Sequence, residues 1–93
     1  MLVDVIRHQH AHVRAAVEAL ASLTESVAVR VRRAADEVRL AFHDGVPVWA
    51  SPYVATIESL ASGTADPTPA DLAKLTGAVV EVYTLACREY WTA

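Results

Sequence analysis

The sequence predicts an all-α protein, a helical hairpin or a small antiparallel helical bundle in which a long first helix is followed by one short and one longer helix. Three observations carry this prediction. From Val3 to Ala41 apolar residues recur at seven-residue spacing with no glycine or proline between them. One rail is Val3, His10, Val17, Thr24, Val31 and Val38, and the other is Ile6, Val13, Leu20, Val27, Ala34 and Ala41. These are the a and d positions of a heptad, which align helices side by side along a seam. Beyond this ladder, Gly45-Val46-Pro47 and the Gly63–Pro69 region punctuate the chain at the spacing of short helix connections. Finally, a 93-residue chain that is 54% hydrophobic is large enough for one core but modest in the surface it can bury, so residues 1–93 form a single helical domain.

The first segment, residues 2–43, is helix-compatible throughout. The apolar phase of 2–20 continues unshifted through 27–42, as in one helix about 60 Å long. Against that, Ser22-Leu23-Thr24-Glu25-Ser26 groups hydroxyl side chains that compete for backbone bonds, and Ser22 with Glu25 matches a capping box. Both readings stay open at the level of sequence. Asp44-Gly45-Val46-Pro47 ends the segment, because glycine suits the position past a helix and proline cannot continue one. Ser51-Pro52 opens a short helix with serine as cap and proline at its first position, and its inward side is Tyr53, Val54, Ile57, Leu60 and Ala61. Ser62-Gly63 stops it. Thr68-Pro69-Ala70-Asp71 opens the last helix, with an acid facing the positive end of the helix dipole. Leu72, Leu75, Val79, Val82, Ala86 and Tyr90 form its inward stripe.

Charge is unevenly spread. Residues 1–45 hold six arginines and six acids, whereas residues 46–93 hold Lys74 and Arg88 against five acids, which gives the whole chain its net charge of −3. An acidic chain with no cationic excess argues against nucleic acid, whose binding rests on phosphate neutralisation. Arg30, Arg32, Arg33 and Arg39 lie among Asp36 and Glu37 at helical pairing distances, the pattern of a solvated, salt-bridged face. No stretch approaches the roughly 20 apolar residues of a membrane span, and Arg7 is not followed by the apolar run of a signal peptide. Cys87 is the only cysteine, so no intrachain disulfide forms and a reducing, cytoplasmic setting is expected.

Chemistry-bearing residues gather near the start of the chain. Asp4, His8 and His12 are spaced four apart on one helical face, where side chains of this kind share a metal ion, although the face lies opposite the Val13/Val17/Leu20 stripe. His10 instead sits on the apolar rail, where a polar residue sets register or is satisfied by a single hydrogen bond. The run Asp4-Val5-Ile6-Arg7-His8-Gln9-His10-Ala11-His12-Val13-Arg14, continued by Val17 and Leu20, resembles the opening helix of hemerythrin-like cation-binding domains. In that family an inward histidine precedes a Val-Arg and a spaced apolar pair. The resemblance covers roughly one fifth of the chain and gives His10 and His43 the places of two metal-binding histidines. Pro47 stands four residues after His43 where the family has a carboxylate, and Tyr83 and Cys87 occupy the spacing of a later His-x-x-x-Glu pair. The resemblance therefore implies a shortened relative without a di-iron centre.

No phosphate-binding loop, zinc finger, Ser-His-Asp set or redox cysteine pair is present in the sequence, and no cofactor is expected. The reading is a non-enzymatic interaction module that self-associates as a dimer or binds a protein partner through helix faces. Its expected contact residues are the seam members Val17, Leu20, Val31 and Val38, the off-stripe pair Val29 and Leu40, and Trp49 and Trp91 as anchors. Two other readings compete with it: a metal-binding protein using His10 and His43 or Asp4, His8 and His12, and a small-molecule sensor with a pocket between helices.

Overall fold

The computed structural model describes residues 2–63 and 66–92. Four helices follow one another: α1 Leu2–Leu20, α2 Val27–Ala41, α3 Ser51–Ala61 and α4 Pro69–Thr92. α1 packs on both α2 and α4, and α3 packs chiefly on α4. His8 meets Leu40 and His12 meets Glu37, so α1 and α2 run antiparallel. His10 meets Cys87 while Val3 and Ile6 share a groove with Tyr90 and Trp91, so α1 and α4 also run antiparallel. The result is an all-α bundle measuring 39 × 24 × 18 Å.

The long first helix is therefore broken, and the hydroxyl-rich stretch is the place. Ser26 takes an extended backbone conformation (φ −65°, ψ 159°), and its Oγ accepts the Val29 amide at 3.2 Å. The N-cap is thus Ser26, not the expected Ser22, whose carbonyl instead accepts the Glu25 amide in the turn. On the other side of the turn, the Arg30 guanidinium donates through Nε, at 2.9 Å, and through Nη2 to the carbonyl of Leu20. A cation there satisfies an orphan carbonyl at the negative end of α1. Because the seven-residue phase carries through the break, folding α2 back onto α1 lays the two halves of the ladder against each other.

The core consists of Val13, Ala16 and Leu20 from α1, Val31, Ala34, Ala35, Val38 and Ala41 from α2, Phe42 and Ala50 from the connection, Ile57 from α3, and Leu75, Ala78, Val79, Val82 and Ala86 from α4. Seven of these sixteen are alanine, so the helices meet through small side chains and approach closely. No described buried residue is polar or charged.

The turn after α2 uses Gly45 at φ +136°, a conformation that side chains disfavour. α3 begins one residue earlier than Ser51 as cap would require. Ala50 is the cap residue, Ser51 is already helical, and the Ala50 and Ser51 amides both bond the Pro47 carbonyl. The start of α4 matches its sequence signal. Thr68 Oγ1 accepts the Asp71 amide at 3.2 Å, and Asp71 Oδ2 accepts the Thr68 amide at 2.9 Å. Among the described residues no helix is long and apolar enough to cross a membrane.

Candidate functional site

The four histidines separate into two places. His10 faces α4. Its ring stacks on Tyr90 with centroids 4.5 Å apart, tilts against Tyr83 at 5.6 Å, and brings Nε2 within 3.5 Å of the Cys87 sulfur. Hydrogen bonding to Cys87 holds the Tyr83 phenol above its ordinary range, and burial adds to the effect. A half-buried thiol thus lies between an imidazole and a phenol at the α1–α4 contact. His10 and Cys87 are 77 positions apart, a separation that neither motif nor periodicity bridges.

His8, His12 and His43 gather on the opposite side, along the α1–α2 contact. The His8 ring meets His12 edge-on at 4.5 Å and His43 edge-on at 5.2 Å. His8 Nε2 and His43 Nδ1 both lie against the Leu40 carbonyl, at 2.8 and 3.1 Å. His12 Nδ1 bonds Glu37 at 2.7 Å, and His43 Nε2 stands 3.2 Å from Asp44. A groove of about 200 Å³ opens here, lined by Asp4, Val5, His8, Gln9, Ala41, His43, Asp44 and Gly45.

This placement corrects both sequence-predicted ligand sets. His10 and His43 do not meet, because the 100° helical step turns His10 toward α4 and His8 toward the end of α2. Asp4, His8 and His12 share a face, but Glu37 engages His12, which does not line the groove that Asp4 and His8 share. Among the described residues no three His, Cys, Asp or Glu side chains stand in reach of one ion as placed.

The expected interaction residues also divide. Leu20, Val31 and Val38 are buried within the chain, and Val17 and Trp49 pack against the same core. The seam is consumed by the α1–α2 fold and is not a surface. Trp49 meets Phe42 edge-on at 5.8 Å, closing the end of the bundle near Gly45. Val29 is half-buried, while Leu40 and Trp91 are exposed. At the other end, where α1 begins and α4 finishes, Val3, Ile6, Arg7, Tyr90 and Trp91 line an open groove of about 230 Å³. Trp91 is 81% exposed and Val3 45%. Trp91 also stands edge-on to Tyr90 at 5.4 Å.

Two of the α2 arginines pair with acids of this chain. Arg39 makes a two-pronged pair with Glu58 at 2.8 and 3.0 Å and also bonds Asp36 at 2.9 Å, while Arg33 approaches Glu25 at 3.5 Å. No family model matches this chain, and neither a curated protein nor a solved structure matches it.

Proposed function

We propose that the chain is a small non-enzymatic interaction module that pairs with a second copy of itself through the end of the bundle formed by Val3, Ile6, Tyr90 and Trp91. The exposure of Trp91 is the observation that supports this reading. Trp91, a large aromatic side chain left 81% in water, and the exposed Val3 at the same end offer apolar area of the kind that association covers. Arg7 rims it with charge, as polar residues rim a contact core. A symmetric pair needs only one such self-complementary patch. The surface differs from the one the heptads suggest, since the seam lies within the chain.

Sedimentation velocity of the wild type and Trp91→Ala over a concentration series tests the proposal. The wild type is expected to sediment as a dimer at high concentration and dissociate on dilution, whereas Trp91→Ala stays monomeric with unchanged helicity. A wild type that is monomeric throughout, or a variant that dimerises as well as the wild type, contradicts it.

A further inference from the structure

We propose that Cys87 is a covalent modification site, a thiol capped by low-molecular-weight disulfides, with His10 as the base that takes its proton. The site is complete within one chain and does not depend on association, although Tyr90 borders both regions.

Thiol chemistry of this kind needs a base to generate the thiolate, groups to hold the charge and a path for the electrophile. α1 and α4 bring these together from opposite ends of the sequence. His10 Nε2 lies 3.5 Å from Cys87 Sγ, within hydrogen-bond reach of a sulfur. In a neutral imidazole one nitrogen donates and the other accepts. With the ring proton on Nδ1, the nitrogen beside the sulfur accepts from the S–H. The Tyr90 ring, stacked at 4.5 Å, and the Tyr83 ring, tilted at 5.6 Å, hold the imidazole from the α4 side. The Tyr83 phenol hydrogen-bonds Cys87, and an O–H donates more strongly to a sulfur anion than to a thiol. A thiolate formed here is thus held by an imidazolium on one side and a phenol on the other. Arg14 and Glu18, the charged groups that also act on Tyr83, pair with each other at 3.3 Å and oppose one another in sign. Cys87, His10 and Tyr83 are all half-buried, so the sulfur is not sealed in the core.

In the step itself, Cys87 Sγ gives its proton to His10 Nε2 and attacks one sulfur of the disulfide. The new S–S bond forms as the old one breaks. The leaving thiolate keeps that electron pair and takes up the proton from the imidazolium. Cys87 is oxidised and half of the disulfide is reduced, so the exchange balances. Cys87 is the only cysteine in these 93 residues, so no second thiol of the chain displaces the cap. The adduct persists until an external thiol removes it.

Dithiodipyridine, a chromogenic disulfide, tests the site on dilute protein, with intact mass confirming a single adduct. At about pH 6.5 the native chain is expected to react about tenfold faster than the same chain unfolded in urea, whose thiol has no base beside it. His10→Gln accepts a hydrogen bond but takes no proton. It is expected to react about tenfold more slowly than the wild type at about pH 6.5, and within about twofold of it at about pH 9.5, where thiols ionise unaided. Circular dichroism checks that this variant is folded. A native chain that reacts no faster than the unfolded one overturns the proposal. So does a His10→Gln variant that matches the wild type at the lower pH or lags equally at the higher one.

Discussion

Arg30 reaches ten residues back to the Leu20 carbonyl, and that single contact ties the end of α1 to the start of α2. A charged donor on an orphan carbonyl is worth more than an ordinary hydrogen bond, less what solvent screens at a part-exposed position. Arg30→Ala is expected to lower stability by about 1–2 kcal/mol in urea denaturation without changing the helical content of the native state. At the α1–α4 contact, Tyr83 gives a spectroscopic handle. Its hydrogen bond to Cys87 is the main cause of its raised pKa, so Cys87→Ala should bring the titration of one tyrosine back toward the ordinary value in an ultraviolet pH titration. An unchanged profile would mean that Cys87 is not the cause. The inward position of His10 was legible from its place on the apolar rail, but its partners were not. Helical periodicity states which way a side chain faces and is silent on which distant helix it faces.

At the scale of elements, the caps set the boundaries. The start of α4 was readable because Thr68 and Asp71 form a local, reciprocal pair at fixed spacing. Asp71 lies below the usual carboxylate range because the Thr68 amide and hydroxyl bond its ionised form. Folding lowers this pKa, so the contribution is complete above the ordinary carboxylate value and is lost as pH falls through the lowered one. The thermal midpoint of Asp71→Asn, which removes the ionised carboxylate, should therefore lie below that of the wild type at neutral pH and converge toward it in acid. A gap independent of pH would contradict the Asp71 cap. The break between α1 and α2 was only half legible. Ser22, Thr24 and Ser26 all tolerate a helix as well as a turn, and the apolar phase is the same either way. The turn is fixed by Ser26 and by the reach of Arg30, a contact outside any local pattern. Likewise, Ser51-Pro52 signalled the start of α3, but the Pro47–Ala50 turn leads into it so directly that Ser51 lies inside the helix.

For the whole molecule, the fold class followed from the ladder, and the use of the ladder did not. A heptad seam serves equally for two chains or for one chain folded on itself, and residues 21–26 make it the latter by bringing Val31 and Val38 to 1% and 0% exposure inside the bundle. Val31→Asp places an unpaired charge in that core and should cost more than about 3 kcal/mol, a large share of the stability of a domain this size. Circular dichroism should show loss of cooperative folding, whereas a folded variant of unchanged mass would mean that the seam is not the core. What remains for association is the surface the fold leaves in water, led by Trp91 and Val3. Hydrogen–deuterium exchange followed by mass spectrometry across a dilution series tests this division most directly. Peptides covering residues 3–10 and 86–92 should gain protection as concentration rises, with residues 31–41 equally protected at every concentration. Concentration-dependent protection centred on residues 31–41 would contradict the account and return the seam to the interface between chains.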